Sequence, residues 1–169
     1  TTGGSVNIDA GNMVVIDLGN VTPESPDLVP VINVTGQLGG NGGNITINAG
    51  SASIDDTLFA DASGEGAGGS IDITADDLWL GGGLVANGGT GGGIVSTTTT
   101  GSLFAAGSAY VHAGTWRIHA PSASIVSAID AGPGFGAVIT DAALGAALDD
   151  GTIVQLMADA SLSSGASGS

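Results

Sequence analysis

The chain has 169 residues with one Arg, no Lys, sixteen acids and no Cys, for a formal charge of −15. Such a surface repels phosphate, which argues against nucleic acid and anionic headgroups as partners. The missing cysteines exclude disulfides and thiolate metal sites. Thirty-two glycines beside a 42% apolar content and a positive mean hydropathy describe a chain with a core, not a disordered one.

"GGSVNIDAGNMVV" (3–15) opens the pattern: two glycines, then Val6 and Ile8 alternating with Asn7 and Asp9, the period of a half-buried strand. The chain begins with Thr1 rather than Met, so we expect a segment excised from something larger. "LGNVTPESPDLVPVINVTGQL" (18–38) holds three of the five prolines and reads as a loop inserted over 18–30, with "VINVTG" returning to the regular path. "NGGNITINAGSASI" (41–54) and "GGSIDITADDLWL" (68–80) repeat the opening pattern in full.

The residue following each glycine group falls in one column: Ser5, Asn44, Ser70, Gly93, Thr115 and Thr152, at spacings of 39, 26, 23, 22 and 37. If the two long intervals each hide a degenerate turn, the step is roughly twenty residues, one coil of a solenoid. Val6, Ile45, Ile71, Ile94 and Trp116 then share an inward position; Ile8, Ile47, Ile73 and Ile118 share a second, followed by Ala10, Ala49, Ala75 and Ala120. Turn-forming pairs follow at Gly11-Asn12, Gly50-Ser51, Asp76-Asp77 and Pro121-Ser122. Beyond that corner a new inward alternation is expected at Met13 and Val15, Ala52 and Ile54, Leu78 and Leu80, and Ala123 and Ile125. "DAALGAALDDG" (141–151) is the best helical signal, with Ala142, Leu144 and Leu148 making about two turns ended by Gly151.

These periods predict an all-β fold: a parallel β-helix of about seven to eight coils, its layers about 4.8 Å apart, with one short helical excursion near 141–149. An antiparallel sandwich with glycine-rich turns is the alternative, but it does not predict register that persists through a corner. The whole of 1–169 reads as a single segment. Its last residues, "ADASLSSGASGS" (158–169), resemble internal "ADASGEGAGG" (60–69), so we expect a fragment of a longer array or a unit that stacks end to end.

"GGNITINAGSASI", "GGGLVANGGTGGGIV" (81–95) and "ITDAALGAALDDGTIVQLMA" (139–158) resemble the repeat region of filamentous-haemagglutinin-like exoproteins, the bacterial adhesins of two-partner secretion and biofilm matrices. The resemblance runs from about Gly3 to Ser161. It implies a right-handed β-helix acting as a rigid adhesive or spacer shaft, outside the cell or on its surface, that meets polysaccharide or cellular surfaces. Separately, no run approaches the roughly eighteen apolar residues of a membrane helix, so no membrane insertion is expected.

Reactive chemistry is sparse. A β-helix lyase needs a strong base and a hydrolase needs two convergent carboxylates. Arg117 is the one basic candidate, outward between Trp116 and Ile118, and Asp55-Asp56, Asp76-Asp77 and Asp149-Asp150 fall at different corners. We therefore expect no enzyme. No cofactor is expected either: "GGNGGNITI" (39–47) lacks the Asp and the nine-residue repetition of a calcium turn, leaving weak surface calcium at most. "STTTTG" (96–101) aligns into no outward Thr ladder and reads as a polar strand or turn. His112 and His119 have no third ligand, and His119 is expected to be solvated. Trp79 should face outward between Leu78 and Leu80, so Trp79 and Arg117 are the candidates for glycan or partner contact, with packing under a loop the plainer role for Trp79. Asn20, Asn33 and Asn44 begin N-x-T sequons. The sequence favours an adhesive shaft, with a filament subunit and a carbohydrate-active enzyme as rivals.

Overall fold

The computed structural model describes residues 1–17, 32–127 and 136–164, with side chains through Asp159. The inserted segment expected over 18–30 and the sequon at Asn20 lie outside the described residues.

Among the described residues eleven strands and one helix follow in order: β1 (Ser5–Ile16), β2 (Ile32–Asn33), β3 (Asn44–Ile54), β4 (Leu58–Phe59), β5 (Ser70–Leu80), β6 (Gly83–Ala86), β7 (Ile94–Ala105), β8 (Tyr110–Ala113), β9 (Thr115–Val126), β10 (Gly136–Thr140), α1 (Asp141–Asp149) and β11 (Ile153–Ser164). The long strands form one seven-stranded sheet in the order β1-β3-β5-β7-β10-β9-β11, and the short ones form a second sheet, β2-β4-β6-β8. Every pairing is parallel. The fold of the described residues is thus mostly β with a single short helix, and from β1 to β8 long strands of the first sheet alternate in the chain with short strands of the second.

Each long strand has two arms. In β3 the buried residues are Ile45 and Ile47, then Ala52 and Ile54; in β5 they are Ile71, Ile73 and Ala75, then Leu78 and Leu80. The change from odd to even numbers is the corner, where the chain turns and the inward side changes parity. Stacked columns such as Ile45–Ile71 and Ile47–Ile73 are in register and form one continuous core. Branched side chains suit this pleated, close-packed stacking.

The glycine pair is explained at the return from the second sheet to the first. The amide of Gly43 donates to Val34 O, that of Gly69 to Ala60 O and that of Gly93 to Ala86 O, at 2.9, 2.8 and 2.6 Å. A Cβ on these glycines would run into the backbone of the preceding layer, at Gly4 O, Gly43 O and Gly69 O respectively. Only glycine lets successive layers approach there. The return runs from Ala60 to Gly69 in one layer and from Ala86 to Gly93 in the next, and it shrinks to Gly114 alone between β8 and β9. This shortening corrects the sequence-based column. Ile94 pairs with Ser70 and Thr115, so Val95 is the buried partner of Ile71 and Trp116 while Ile94 is exposed. At the far end Ile153, not Thr152, pairs with Thr115.

Two further expectations are revised. Val14 and Ile16 face inward, paired with Ala52 and Ile54; Met13 and Val15, expected inward, are 64% and 55% exposed. An extra residue at the β1 corner, seen as a register break between Ala10 and Met13, inverts the second arm. Neither long interval places a hidden coil between its flanking first arms, since β1 pairs directly with β3 and the first arm of β9 directly with that of β11. The interval after β9 holds β10 and α1. β10 inserts between the second arms of β7 and β9, whereas their first arms pair with each other. β7 and β9 therefore diverge across the corner by one strand spacing, about 4.8 Å.

Thr140 caps α1, its Oγ1 accepting from Ala143 N at 3.2 Å. The helix ends at Asp150 and Gly151, the latter at φ +81°. Its buried face is Ala143 and Ala147. Of the residues that signalled the helix, Leu148 is 53% exposed. Small residues let α1 sit close against β8. Thr152 completes this end: its Oγ1 accepts from Ala113 N at 3.2 Å and donates to Val111 O at 3.1 Å, satisfying backbone groups of β8 where another strand would otherwise be needed.

Candidate functional site

Trp79 lies in the second arm of β5 and faces outward, 40% exposed, between buried Leu78 and Leu80. Register stacks Ser53, Trp79 and Phe104 in one outward column. The Trp79 and Phe104 rings are tilted by 34° with centroids 4.6 Å apart, within the range of favourable aromatic contact. Trp79 Nε1 donates to Asp55 Oδ1 at 3.0 Å, and Ser53 Oγ donates to Asp55 Oδ2 at 2.8 Å. Trp79 is thus held by its neighbours in the layers on either side. The sequence reading missed Phe104, which is outward yet only 6% exposed; its place in "SLFAAG" carries no signal that a Trp lies one layer away.

Around the next corner Tyr110 forms a second tie. Its ring lies over Gly83, where a Cβ would collide with it, and its hydroxyl shares a 2.8 Å hydrogen bond with Thr57 Oγ1. Gly83 pairs with Tyr110, so the ring crosses a whole layer to reach Thr57. Trp79 and Tyr110, both partly exposed, are therefore each anchored on the corner segment 55–57. This aromatic corner is the most distinctive outward feature among the described residues.

Arg117 does not join it. It is exposed on the first arm of β9, in an outward column with Asp72, Ser96 and Gln155, and its Nε donates to Gln155 Oε1 at 3.4 Å. Trp79 and Arg117 occupy different arms and different layers. His119, expected to be solvated, is paired with Asp159 at 3.0 Å on the surface. His112 shares a 2.7 Å hydrogen bond with Asn87. No match is found to any protein-family model, curated protein or solved structure.

The acids have a structural use that composition does not disclose. Asp61 Oδ1 accepts from Asn87 N at 2.7 Å, Asp76 Oδ1 from Thr100 Oγ1 at 2.5 Å, and Asp77 Oδ1 from Ser102 N and Oγ at 3.0 and 2.6 Å. Each bond, like that of Asp55 to Trp79, joins one layer to the next. Hydrogen bonds to a charged acceptor are among the stronger ones, so these carboxylates clamp adjacent layers. Asn41 acts similarly, its Oδ1 accepting from Ala67 N at 3.0 Å. The oxygens of Asn33 and Asn44 take hydrogen bonds from Thr35 N and Ser70 Oγ. Among the described residues no three His, Cys, Asp or Glu side chains group as metal ligands, and no helix is long and apolar enough to cross a membrane.

"STTTTG" proves half core. Thr97 and Thr99 point inward, 0% and 4% exposed, in the columns of Ile73 and Ala75. Thr97 Oγ1 accepts from Trp116 Nε1 at 3.2 Å and donates to Arg117 O at 3.4 Å. The threonine in an isoleucine column is thus matched to the tryptophan in an aliphatic column one layer on: a buried indole N–H requires an acceptor, and Thr97 supplies it.

Proposed function

We propose that this chain is a β-solenoid segment serving as the shaft of an extracellular bacterial surface or matrix adhesin, acting by rigid extension and by contact with glycan at the aromatic corner. One observation carries this reading. Apart from Thr97, Thr99 and Trp116, inward columns keep their aliphatic character from layer to layer, whereas outward columns change theirs: Asn7, Thr46, Asp72, Ser96, Arg117 and Gln155 stand in register on one outer column. A sequence that preserves its core and lets its surface vary is organised for shape rather than for a convergent reactive centre. The resemblance of "AALGAALDDGTIVQL" to adhesin repeats supports the same reading. So do the described carboxylates, several of which are engaged in joining layers.

Trp79 and Tyr110 supply the apolar faces on which sugar rings stack, and the acidic surface favours neutral or amine-bearing sugars over polyanionic ones. The test is a glycan array with wild type and Trp79→Ala. Binding of neutral or amino sugars that falls at least tenfold in the variant is the expected result. No binding by either protein would remove the adhesive contact and leave a spacer. Release of reducing ends or unsaturated sugars from a polysaccharide panel would overturn the non-enzymatic reading.

A further inference from the structure

The long sheet ends in two strand edges, β1 on one side and β11 on the other. In their first arms both show the marks of a layer with one neighbour too few, whereas Val14 and Ile16 in the second arm of β1 are buried. Val6, Ile8 and Ala10 at one end, and Val154, Leu156 and Ala158 at the other, occupy core columns but are only partly buried. Among the described residues no strand pairs with the outer side of β1 or β11, so each first arm offers backbone groups that a further parallel strand would satisfy.

The two edges match each other. β1 and β11 are both twelve residues long. Each breaks register with its inner neighbour at the corner, between Ala10 and Met13 in β1 and between Ala158 and Ser161 in β11. Against the Ala49-to-Ala52 and Ala120-to-Ala123 steps of their inner neighbours, the register of β1 advances from Ala10 to Val14 and that of β11 from Ala158 to Leu162. β3, β5 and β9 make a shorter step, from Ala49 to Ala52, Ala75 to Leu78 and Ala120 to Ala123; β7 alone among the inner strands has the longer one. Laid side by side in parallel, β11 and β1 pair without a break from Ile153 with Ser5 to Ser164 with Ile16. Val154 then meets Val6, Leu156 meets Ile8 and Ala158 meets Ala10.

Charge and height also agree. The first-arm outward pairs become Asn7 with Gln155 and Asp9 with Met157, so no carboxylate faces another there. In the second sheet α1 follows β8, and a helix about 10 Å across fills roughly two strand spacings. That brings the four-stranded sheet plus helix level with the six first-arm strands of the long sheet.

We propose that β11 of one molecule adds in parallel, and in this register, to β1 of a second copy, giving head-to-tail stacks. An edge of twelve residues is about 40 Å long, and with a side-chain layer about 10 Å deep it covers roughly 400 Å² on each copy. A standard interface buries about 800 Å² per partner, so association is weak and concentration-dependent. The charge of −15 per copy opposes it at low salt. Because the contact is heterologous, it propagates and does not close into a two-fold dimer.

The chain has no cysteine, so engineered thiols report the contact directly. Asn7→Cys and Gln155→Cys, both at exposed positions, would bring Cα atoms to about 4.8 Å in the stack, inside the range for a disulfide. Within one copy the same positions are separated by the intervening layers, about 24 Å, and cannot join. The expected result is a disulfide dimer from the mixture of the two single variants, formed at least tenfold faster than by either alone. It should also outpace Asp9→Cys mixed with Gln155→Cys, two residues out of register and about 8 Å apart. Met157→Asp, which sets a carboxylate against Asp9 at an exposed site, should shift wild-type sedimentation toward monomer without changing the melting temperature. A strictly monomeric chain at millimolar concentration and 0.5 M salt, or cross-linking indifferent to register, would overturn the proposal. The inference rests on the layered solenoid reading but not on glycan contact: a failed cross-link leaves the array result untouched, and an empty array leaves the stacking intact.

Discussion

The pairing of Thr97 with Trp116 makes the sharpest quantitative test of how this core is specified. Thr97→Val is nearly isosteric and gains the burial of one methyl, worth about 0.8 kcal/mol. It removes the acceptor of the Trp116 indole N–H and the donor to Arg117 O. With Trp116 and Thr97 both 0% exposed, water does not take their place, and an orphaned buried donor costs about 1–3 kcal/mol. The net expectation is a destabilisation of up to about 2 kcal/mol. Trp116→Phe leaves a cavity but no N–H to orphan. In that background Thr97→Val should be cheaper by about 1–2 kcal/mol, a coupling of the size found for residues in direct contact. Urea unfolding of the four proteins, with unchanged m-values as the control for the unfolded state, measures the cycle. If Thr97→Val costs the same in both backgrounds to within about 0.5 kcal/mol, the threonine is not there for the tryptophan.

The extra residue at the β1 corner is tested by two neighbouring substitutions: Val15→Asp, at an outward position, should change stability by no more than about 0.5 kcal/mol, whereas Val14→Asp, at an inward one, should cost at least about 2 kcal/mol. Thermal or urea melts showing the reverse order would restore the uninterrupted alternation expected from sequence. Thr152→Val should cost about 1–3 kcal/mol by stranding Ala113 N and Val111 O, and hydrogen exchange at the Ala113 amide should accelerate; an unchanged exchange rate would mean that Thr152 does not close the end of the short sheet.

The parts legible in the sequence were those carried by near neighbours. Ile45 and Ile47, Ile71 and Ile73, and Trp116 and Ile118 are core because alternation along a strand assigns faces locally, and they are buried in the structure. The helix over Asp141–Asp149 was legible from its composition and its stop at Gly151, although its buried face, Ala143 and Ala147, was not. Choosing that face required knowing that α1 must lie flat on β8, where large side chains would hold it away. For the candidate site, the outward exposure of Trp79 followed from the same alternation. Its hold on Asp55 and its stack on Phe104 did not, because those partners lie 24 and 25 residues away in sequence.

By itself the sequence determined strand periodicity, the stacked columns and the sparing use of reactive groups, since each depends on residue type and spacing within a few positions. Tertiary structure decided how the arms turn and which layers touch. One extra residue at Gly11-Asn12-Met13 reverses the inward side of the β1 second arm, and a strand that follows β9 in the chain slips in ahead of it as β10. The pairing of Thr97 with Trp116 and the carboxylate clamps between layers also belong to this level. Side-chain parity changes with every added residue at a corner, and hydrogen bonds between layers join residues two dozen positions apart, so these features arise only when the layers are stacked.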